Sequence, residues 1–380
     1  MTINGGSSSI RAALYESSPG LRQSFAASIE RIGLPGTQLS MTGEEGAAAR
    51  VEAVSGTSDH RSAARYLFDR LDASGDCAGL VAAGHRVVNG GQRTAAERIT
   101  PQLLAELRRM APLDPEHLPR EIELIEVLRE RHPDLPQVAC FDTAFHRGMP
   151  AVAKRLGLPR RYAARGVERL GFHGLSYEYL VGELRRVAEP AATRGRMVIA
   201  HLGNGASLCA LRDGASIDTS MSFTPSSGIL MSTRSGDLDP GLVDYLARTE
   251  QMTPAGFQTM TTHASGLLGI SETSSDVRDL LSVEAADVRA AEALESFCYQ
   301  AKKTIGAYAA VLGGLDALVF AGGIGERAAP IRARICAGLE FLGVEFDAGA
   351  NAAAPGPAAT AALISTGASR VRVRVVCTDE

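Results

Sequence analysis

The sequence predicts an α/β protein of two domains with similar topology. Three observations lead there. The chain has 380 residues, long for one core and natural for two. Strand-like runs end repeatedly in glycine-rich turns and alternate with stretches of helical periodicity. The N-terminal NGGSSSIRAAL is echoed by LGNGASLCAL at 202–211. Each is a Gly/Asn turn, then small hydroxyl residues, then an alternating strand.

Taken in order, TINGGSSSI reads as a turn flanked by short strands, and IRAALY alternates as a half-buried strand does. The small polar stretch 43–56 reads as loop and strand edge, and 58–71 has helical spacing. CAGLVAAGHRVVNGG reads as a buried strand entering a glycine turn. Apolar residues recur at helical intervals over 94–110 and 121–131, and the proline-rich APLDPEHLP separates them. LPQVACFDTAFH is a further strand ending in polar residues. A domain boundary follows it, dividing the chain into 1–147 and 148–380. The second domain opens with strand-like sequence at 197–214 and a long polar, glycine-rich region at 216–241. A strong helix is expected at 284–312, a strand and turn in LDALVFAGGIGE, a helix at 330–342 and a strand at 371–376. The Ala/Gly/Pro stretch 350–362 reads as a surface segment.

Composition removes several function classes. The net charge is −4, from 39 basic and 43 acidic residues, with no like-charge block, so no nucleic-acid footprint is read. Tryptophan is absent and aromatics are 5%, which gives little for stacking single-stranded bases. No 18-residue uncharged apolar run and no signal-peptide pattern is read, so no membrane partner and a cytoplasmic location are expected. Cys77, Cys140, Cys209, Cys298, Cys336 and Cys377 are scattered without CxxC spacing. Reduced thiols are therefore expected rather than a zinc knuckle or disulfide frame.

Glycine turns carry the first chemistry. They allow close backbone approach to a ligand, and successive amides form an anion nest. Segments 4–9, 90–91, 203–207 and 322–325 fit, three of them at strand ends, where open α/β sheets bind ligands. None has the GxxxxGK[ST] or dinucleotide pattern. Arg86, between apolar residues, and Arg234, in a small-residue turn, can each grip carboxylate or phosphoryl oxygens or serve an internal ion pair. Asp142, Asp218, Asp237 and Glu326 are carboxylates at turns, suited to placing Mg²⁺. His173 and His201 follow apolar residues and can be structural, or can donate to a phosphoryl oxygen.

The segments NGGSSSI, GHRVVNGG, APLDP, FDTAFH, RLGFHGLS, HLGNGAS, DTSMSFTP, TRSGDLDP, SGLLGISETSSDVR and GGIGE run in one order along nearly the whole chain. In that set the sequence resembles the acetate kinase family of the acetate and sugar kinase/Hsp70/actin superfamily. The resemblance implies duplicated RNase H-like (actin-like ATPase) domains around a central cleft, a homodimer, and Mg²⁺-dependent (or Mn²⁺-dependent) transfer between ATP and acetate. That is a phosphotransferase with a carboxyl acceptor, giving acetyl phosphate and ADP. It implies catalytic roles for Arg86, Asp142, His173 and Arg234. Phosphates and nucleotide fall to Asn4, Ser9, Arg11, His201, Asn204, Gly205, Asp276, Arg278, Gly322, Gly323, Ile324, Gly325 and Arg327. It places the acetate methyl by Val88, Leu113, Phe172 and Pro225, and the metal by Asn4, Asp142 and Glu380.

Some positions depart from the family pattern. Arg11 replaces a lysine, Asn89 a histidine, Ser226–Ser227 a Leu-Glu pair, and Arg327 an asparagine. The sequence also stops at Glu380, where relatives continue through a helix whose loss is expected to loosen domain packing. Arg327 and the serines raise the possibility of another phosphoryl donor such as pyrophosphate. The pocket residues leave propionate or a longer acyl acceptor open, since one methylene is worth only ~1–3 kcal/mol. A catalytically weakened nucleotide-binding homologue is the alternative of a different class.

Overall fold

The computed structural model describes residues 1–6, 8–17, 21–43, 50–75, 77, 79–187, 194–354 and 361–378. The chain divides into two compact units, Met1–Ala144 and Phe145–Glu380.

The first unit is built on β1 (Thr2–Gly5), β2 (Ser9–Tyr15), β3 (Gln23–Glu30), β4 (Gln38–Thr42), β5 (Arg50–Ala53), β6 (Ala83–Val87), β7 (Glu97–Arg98) and β8 (Gln137–Phe141). They form one sheet in the order β5-β4-β3-β2-β1-β6-β8-β7. β1, β2 and β3 pair antiparallel, whereas β6 pairs parallel with both β1 and β8. Parallel neighbours need crossovers, and helices His60–Ser74, Pro101–Met110 and Leu118–Arg131 supply them. The first starts at Asp59, whose carboxylate accepts from the Ser62 amide in a capping box, and stops at Gly75 with φ 81°. Ile3, Ile10, Ile29, Leu67, Phe68 and Leu128 join in one core cluster. Leu104, Leu107, Ile125 and Phe141 join in another.

The second unit holds β9 (Arg196–Leu202), β10 (Ala206–Arg212), β11 (Ala215–Thr219), β12 (Ala317–Ala321), β13 (Ala361–Leu363) and β14 (Arg372–Val376). Their order is β11-β10-β9-β12-β14-β13. β9, β10 and β11 pair antiparallel, and β12 runs parallel with β9 and β14. The strands β3-β2-β1-β6-β8 and β11-β10-β9-β12-β14 thus share order and direction. β9 and β10 are buried almost throughout, which explains their continuous apolar sequence. Helix Val288–Leu312 buries Leu294, Phe297, Ile305 and Leu312.

Several boundaries differ from the sequence expectation. Within 94–110 the helix begins only at Pro101, capped by Thr100, because Glu97–Arg98 pair with β8 instead. The 330–342 stretch is helix Ala329–Cys336 followed by a short 3₁₀ turn, Glu340–Leu342, with Gly338 at φ 85° between them. GGIGE is not a plain turn: it starts helix Gly322–Arg327. The 350–362 stretch is only partly a surface segment, since Asn351 is buried on helix Ala348–Ala353 and Ala361–Leu363 is a strand; residues 355–360 lie outside the described residues. All six cysteines are thiols, and four are buried. Among the described residues no helix is long and apolar enough to cross a membrane.

Candidate active site

In the first unit the parallel strands bring three of the expected residues together. Asn4 lies near the end of β1, Arg86 near the end of β6, and Asp142 directly after β8. Arg86 Nη2 donates to Asp142 Oδ2 at 2.7 Å, Nε reaches the same carboxylate at 3.1 Å and Nη1 donates to Asn4 Oδ1 at 3.2 Å. Asp142 is only 1% exposed, so this fork is what makes a buried carboxylate tolerable. Glycine is required beside it. A Cβ on Gly90 would meet the Phe141 ring at 2.5 Å, and Gly91 has φ 61°. Arg11, exposed on β2, is the cross-strand partner of Asn4. Ser9 closes the first turn, its carbonyl accepting from the Gly6 amide at 2.8 Å. Ser7 of that turn lies outside the described residues.

In the second unit the assembly forms at the β9–β10 turn. The turn closes by Gly203 N donating to Gly205 O at 3.0 Å. A Cβ on Gly205 would stand 3.2 Å from His173 Nε2 and 3.3 Å from Arg234 Nη1. The His173 and His201 rings lie 4.4 Å apart, tilted by 34°. His173, Gly205, Arg234 and His201 are therefore neighbours. His173 has φ 59°, a conformation uncommon for a residue with a side chain and often found at functional sites. It sits immediately before helix Gly174–Val187, and its Nδ1 is 2.9 Å from Ser207 Oγ. Ser207 Oγ in turn lies 2.5 Å from Tyr177 Oη. Donation from Tyr177 to Ser207 and from Ser207 to Nδ1 would place the proton on Nε2, the nitrogen nearer Gly205. His201 Nδ1 is 2.8 Å from Ser176 Oγ. Arg234 Nη1 donates to the Pro225 carbonyl at 3.1 Å. Asn204 is exposed at the turn's tip, and its carbonyl accepts from Ser232 N at 3.3 Å.

The GGIGE turn lies beside this hairpin, with the Gly203 Cβ position 4.0 Å from Gly323 N. Gly322 has φ 73° and a Cβ there would strike Leu202 backbone at 2.7 Å, so both glycine turns fit only without side chains. Gly325 is buried against β12, Ile324 is half-buried and Gly323 and Arg327 are exposed.

Other expected residues have local work. Asp276 caps helix Val277–Val283, and its carboxylate takes Arg278 at 2.6 Å; the bonds from Arg278 hold the Asp276 pKa below the usual value. Both are surface groups away from β9 in sequence, and no described contact joins them to the hairpin. Glu326 and Asp237, read as metal-placing carboxylates, each accept backbone amides: Glu326 takes Gly322 N and Thr378 N, and Asp237 takes Gly228 N at 2.8 Å. Asp218 lies 3.8 Å from Arg169. Of the apolar pocket residues, Val88 and Phe172 are buried, Pro225 is half-buried, and Leu113 is 43% exposed. Glu380 lies outside the described residues. Ser227 accepts Ser222 N at 2.7 Å, which gives this departure from the family pattern a loop-closing role.

Sequence reasoning missed several supports. Glu121, 2% exposed, accepts the Val88 amide at 3.1 Å; burial first, then the charge of Asp114, raises its pKa well above normal. The only signal was a carboxylate within the apolar stripe of EIELIEVL. Arg332 is fully buried and donates to the Gly325 and Glu326 carbonyls at 2.9 and 2.7 Å, fixing the C-terminal side of the GGIGE helix.

The pattern of the acetokinase family matches residues 1–380. The acetate kinase of Methylocella silvestris is 44% identical over 393 residues, covering 100% of this chain and 94% of its own. The propionate kinase of Citrobacter rodentium is 40% identical, covering 100% and 93%. The crystal structure of a propionate kinase from Francisella tularensis superposes with a TM-score of 0.91 at 32% identity, covering 100% of this chain and 95% of that one. Matched from its first residue to its last, and carrying both arginines and both glycine hairpins, the chain belongs to the acetokinase family.

Proposed function

We propose that this protein is an acetate kinase, transferring the γ-phosphoryl group of ATP to the carboxylate of acetate. The coarser reading, a phosphotransferase of the acetate/propionate kinase type acting on short-chain carboxylates, rests on family membership and on relatives of both names. The observation that supports phosphoryl transfer here is the convergence of His173 Nε2 and Arg234 Nη1 on the Gly205 turn, and the choice of acetate follows the acetate kinase relatives. Two directed donors beside exposed amides suit a phosphoryl group gathering negative charge. The shared strand order of the two units supports the duplicated RNase H-like reading.

The acceptor carboxylate is already a nucleophile, so no general base is needed. One carboxylate oxygen bonds to the γ-phosphorus as the bond to the β-phosphate oxygen breaks, and ADP leaves. His173 donates from Nε2 and Arg234 compensates charge. Arg86 orients the acceptor while forking onto the Asp142 carboxylate. The oxygens of Asp142 and Asn4 fit Mg²⁺, which favours one or two carboxylates plus waters and phosphates, and Arg86 holds both groups in place. When bound, the ion would neutralise phosphate charge. Two copies of the chain forming a dimer belong to the same proposal.

Trapping acyl phosphate with hydroxylamine tests the reading directly. Product with ATP, Mg²⁺ and acetate is expected, and its absence with every short-chain acid would defeat it. Ranking kcat/KM for acetate, propionate and butyrate separates the acceptors. A donor panel including pyrophosphate decides the part played by Arg327.

A further inference from the structure

Two packed helices of the first unit, His60–Ser74 and Leu118–Arg131, end close together. Asp72 lies in the last turn of one and His132 caps the other, while Cys77 comes from the segment leading to β6. A carboxylate oxygen of Asp72, a ring nitrogen of His132 and Cys77 Sγ all lie within 4.8 Å of one another. We propose that these three side chains form a binding site for a zinc-class divalent cation, separate from the phosphate-transfer residues.

The first support is the state of His132. Its Nε2 is shut off from solvent and has no hydrogen-bond partner, although Asp72 Oδ1 lies 3.2 Å away. The two atoms are near each other without hydrogen-bond geometry. A buried polar atom left so is costly, and a cation accepting both lone pairs removes the cost. The second is the donor set. One thiolate, one imidazole and one carboxylate suit zinc or cobalt and disfavour magnesium and calcium. Donors around a tetrahedral zinc stand about 3.5 Å apart, so closure needs about 1 Å of side-chain adjustment. The third is how the ligands are held. Asp72 Oδ2 accepts Arg131 Nη1 at 2.9 Å, and Arg131 also pairs with Asp69, which fixes the carboxylate while offsetting the arginine charge. An outer hydrogen bond of this kind commonly orients a metal-bound carboxylate.

Placement distinguishes this site from the metal expected with ATP. Cys77 belongs to the core cluster against which Met1, just before β1, packs, whereas Asn4 is near that strand's end and Arg86 near the end of β6. The site would tie two helix ends to the segment before β6. Its effect is on stability of the first unit, with three protein ligands leaving a fourth position for water.

The test uses the full-length protein, stripped with chelator and titrated with Co²⁺ and then Zn²⁺. About one equivalent of Co²⁺ should bind, with thiolate-to-cobalt charge-transfer absorption that Zn²⁺ displaces. Zn²⁺ should raise the melting temperature, and EDTA should reverse the rise. C77S should abolish the charge-transfer band, and H132Q should weaken binding by at least the ~10–100-fold typical of losing a ligand's outer partner. D72N, at a more exposed position, gives a third reading should C77S fail to fold. No cobalt–thiolate band in the wild type, or equal binding by the wild type, H132Q and D72N, would overturn the proposal and leave a plain Arg131–Asp72–His132 ion-pair cluster.

Discussion

The two units share five strands in one order, yet they treat their site arginine differently. In the first, Arg86 leaves a strand and forks onto a carboxylate that is 1% exposed. In the second, Arg234 sits in an irregular segment, donates to the Pro225 carbonyl and stands by His173 and a glycine turn. One arginine is therefore part of its unit's stability, and the other is positioned by loop backbone. The same residue type in equivalent chemistry can carry very different structural cost.

Arg86→Ala should have the largest effect. Stability is at stake as well as turnover, because Asp142 is buried and removing one partner of a buried pair costs about 3–5 kcal/mol. Turnover should fall by at least ~10²-fold, and the denaturation midpoint should fall with it. Adding Asp142→Asn should restore much of the stability and none of the activity. A wild-type midpoint for the single variant would show that the fork contributes little.

Arg234→Ala is the contrasting case. A loss of ~10²-fold in kcat is expected, with circular dichroism and melting unchanged. Equal destabilisation by the two arginine variants would erase the distinction between the units. Gly205→Ala refines it. The new methyl would be 3.2 Å from His173 Nε2 and 3.3 Å from Arg234 Nη1, so both must shift by a few tenths of an ångström. A loss of roughly 10-fold in kcat follows if ~1 Å of misplacement costs ~10²-fold. KM for acetate should move less than kcat.

What the sequence could and could not disclose follows the same division. The β9–β10 hairpin was legible because its strands are apolar throughout and its turn is glycine-rich. β3 and β4 escaped because QSFAASIE and QLSMT are half-polar and only partly buried, and their place comes from pairing in series, β3 on β2 and β4 on β3. The site residues were recognisable as types and as a family pattern. Their partners were not: Ser207 lies 34 residues from His173 and Glu121 lies 33 from Val88, while Arg332 joins the nearby GGIGE helix to Asn351, 19 residues further on. Long-range hydrogen bonds of buried polar groups leave no periodic trace.

The smallest effect, and the one that best separates the units, is in pH. In the second unit burial pushes the His146 pKa down to about 4, while its Nε2 stays bonded to the Phe172 carbonyl at 3.0 Å. Between its ordinary value of 6.5 and about 4 the unfolded chain binds a proton that the fold refuses. That contribution is present above 6.5 and lost as pH falls. In the first unit His85, also pushed down to about 4 by burial, acts the same way, but Glu121 opposes it. Its raised pKa lets the folded state hold a proton above pH 4.5 that the unfolded chain has released. The Glu121 contribution is therefore present below 4.5 and lost as pH rises. Glu121→Gln, whose amide oxygen can still accept the Val88 N–H, should remove that loss. Relative to the wild type its stability should improve steadily from pH 4.5 toward neutrality, with little difference at the acid end. Denaturant midpoints across that range measure it, and parallel curves for the two proteins would mean that Glu121 ionises in the fold at its ordinary pH.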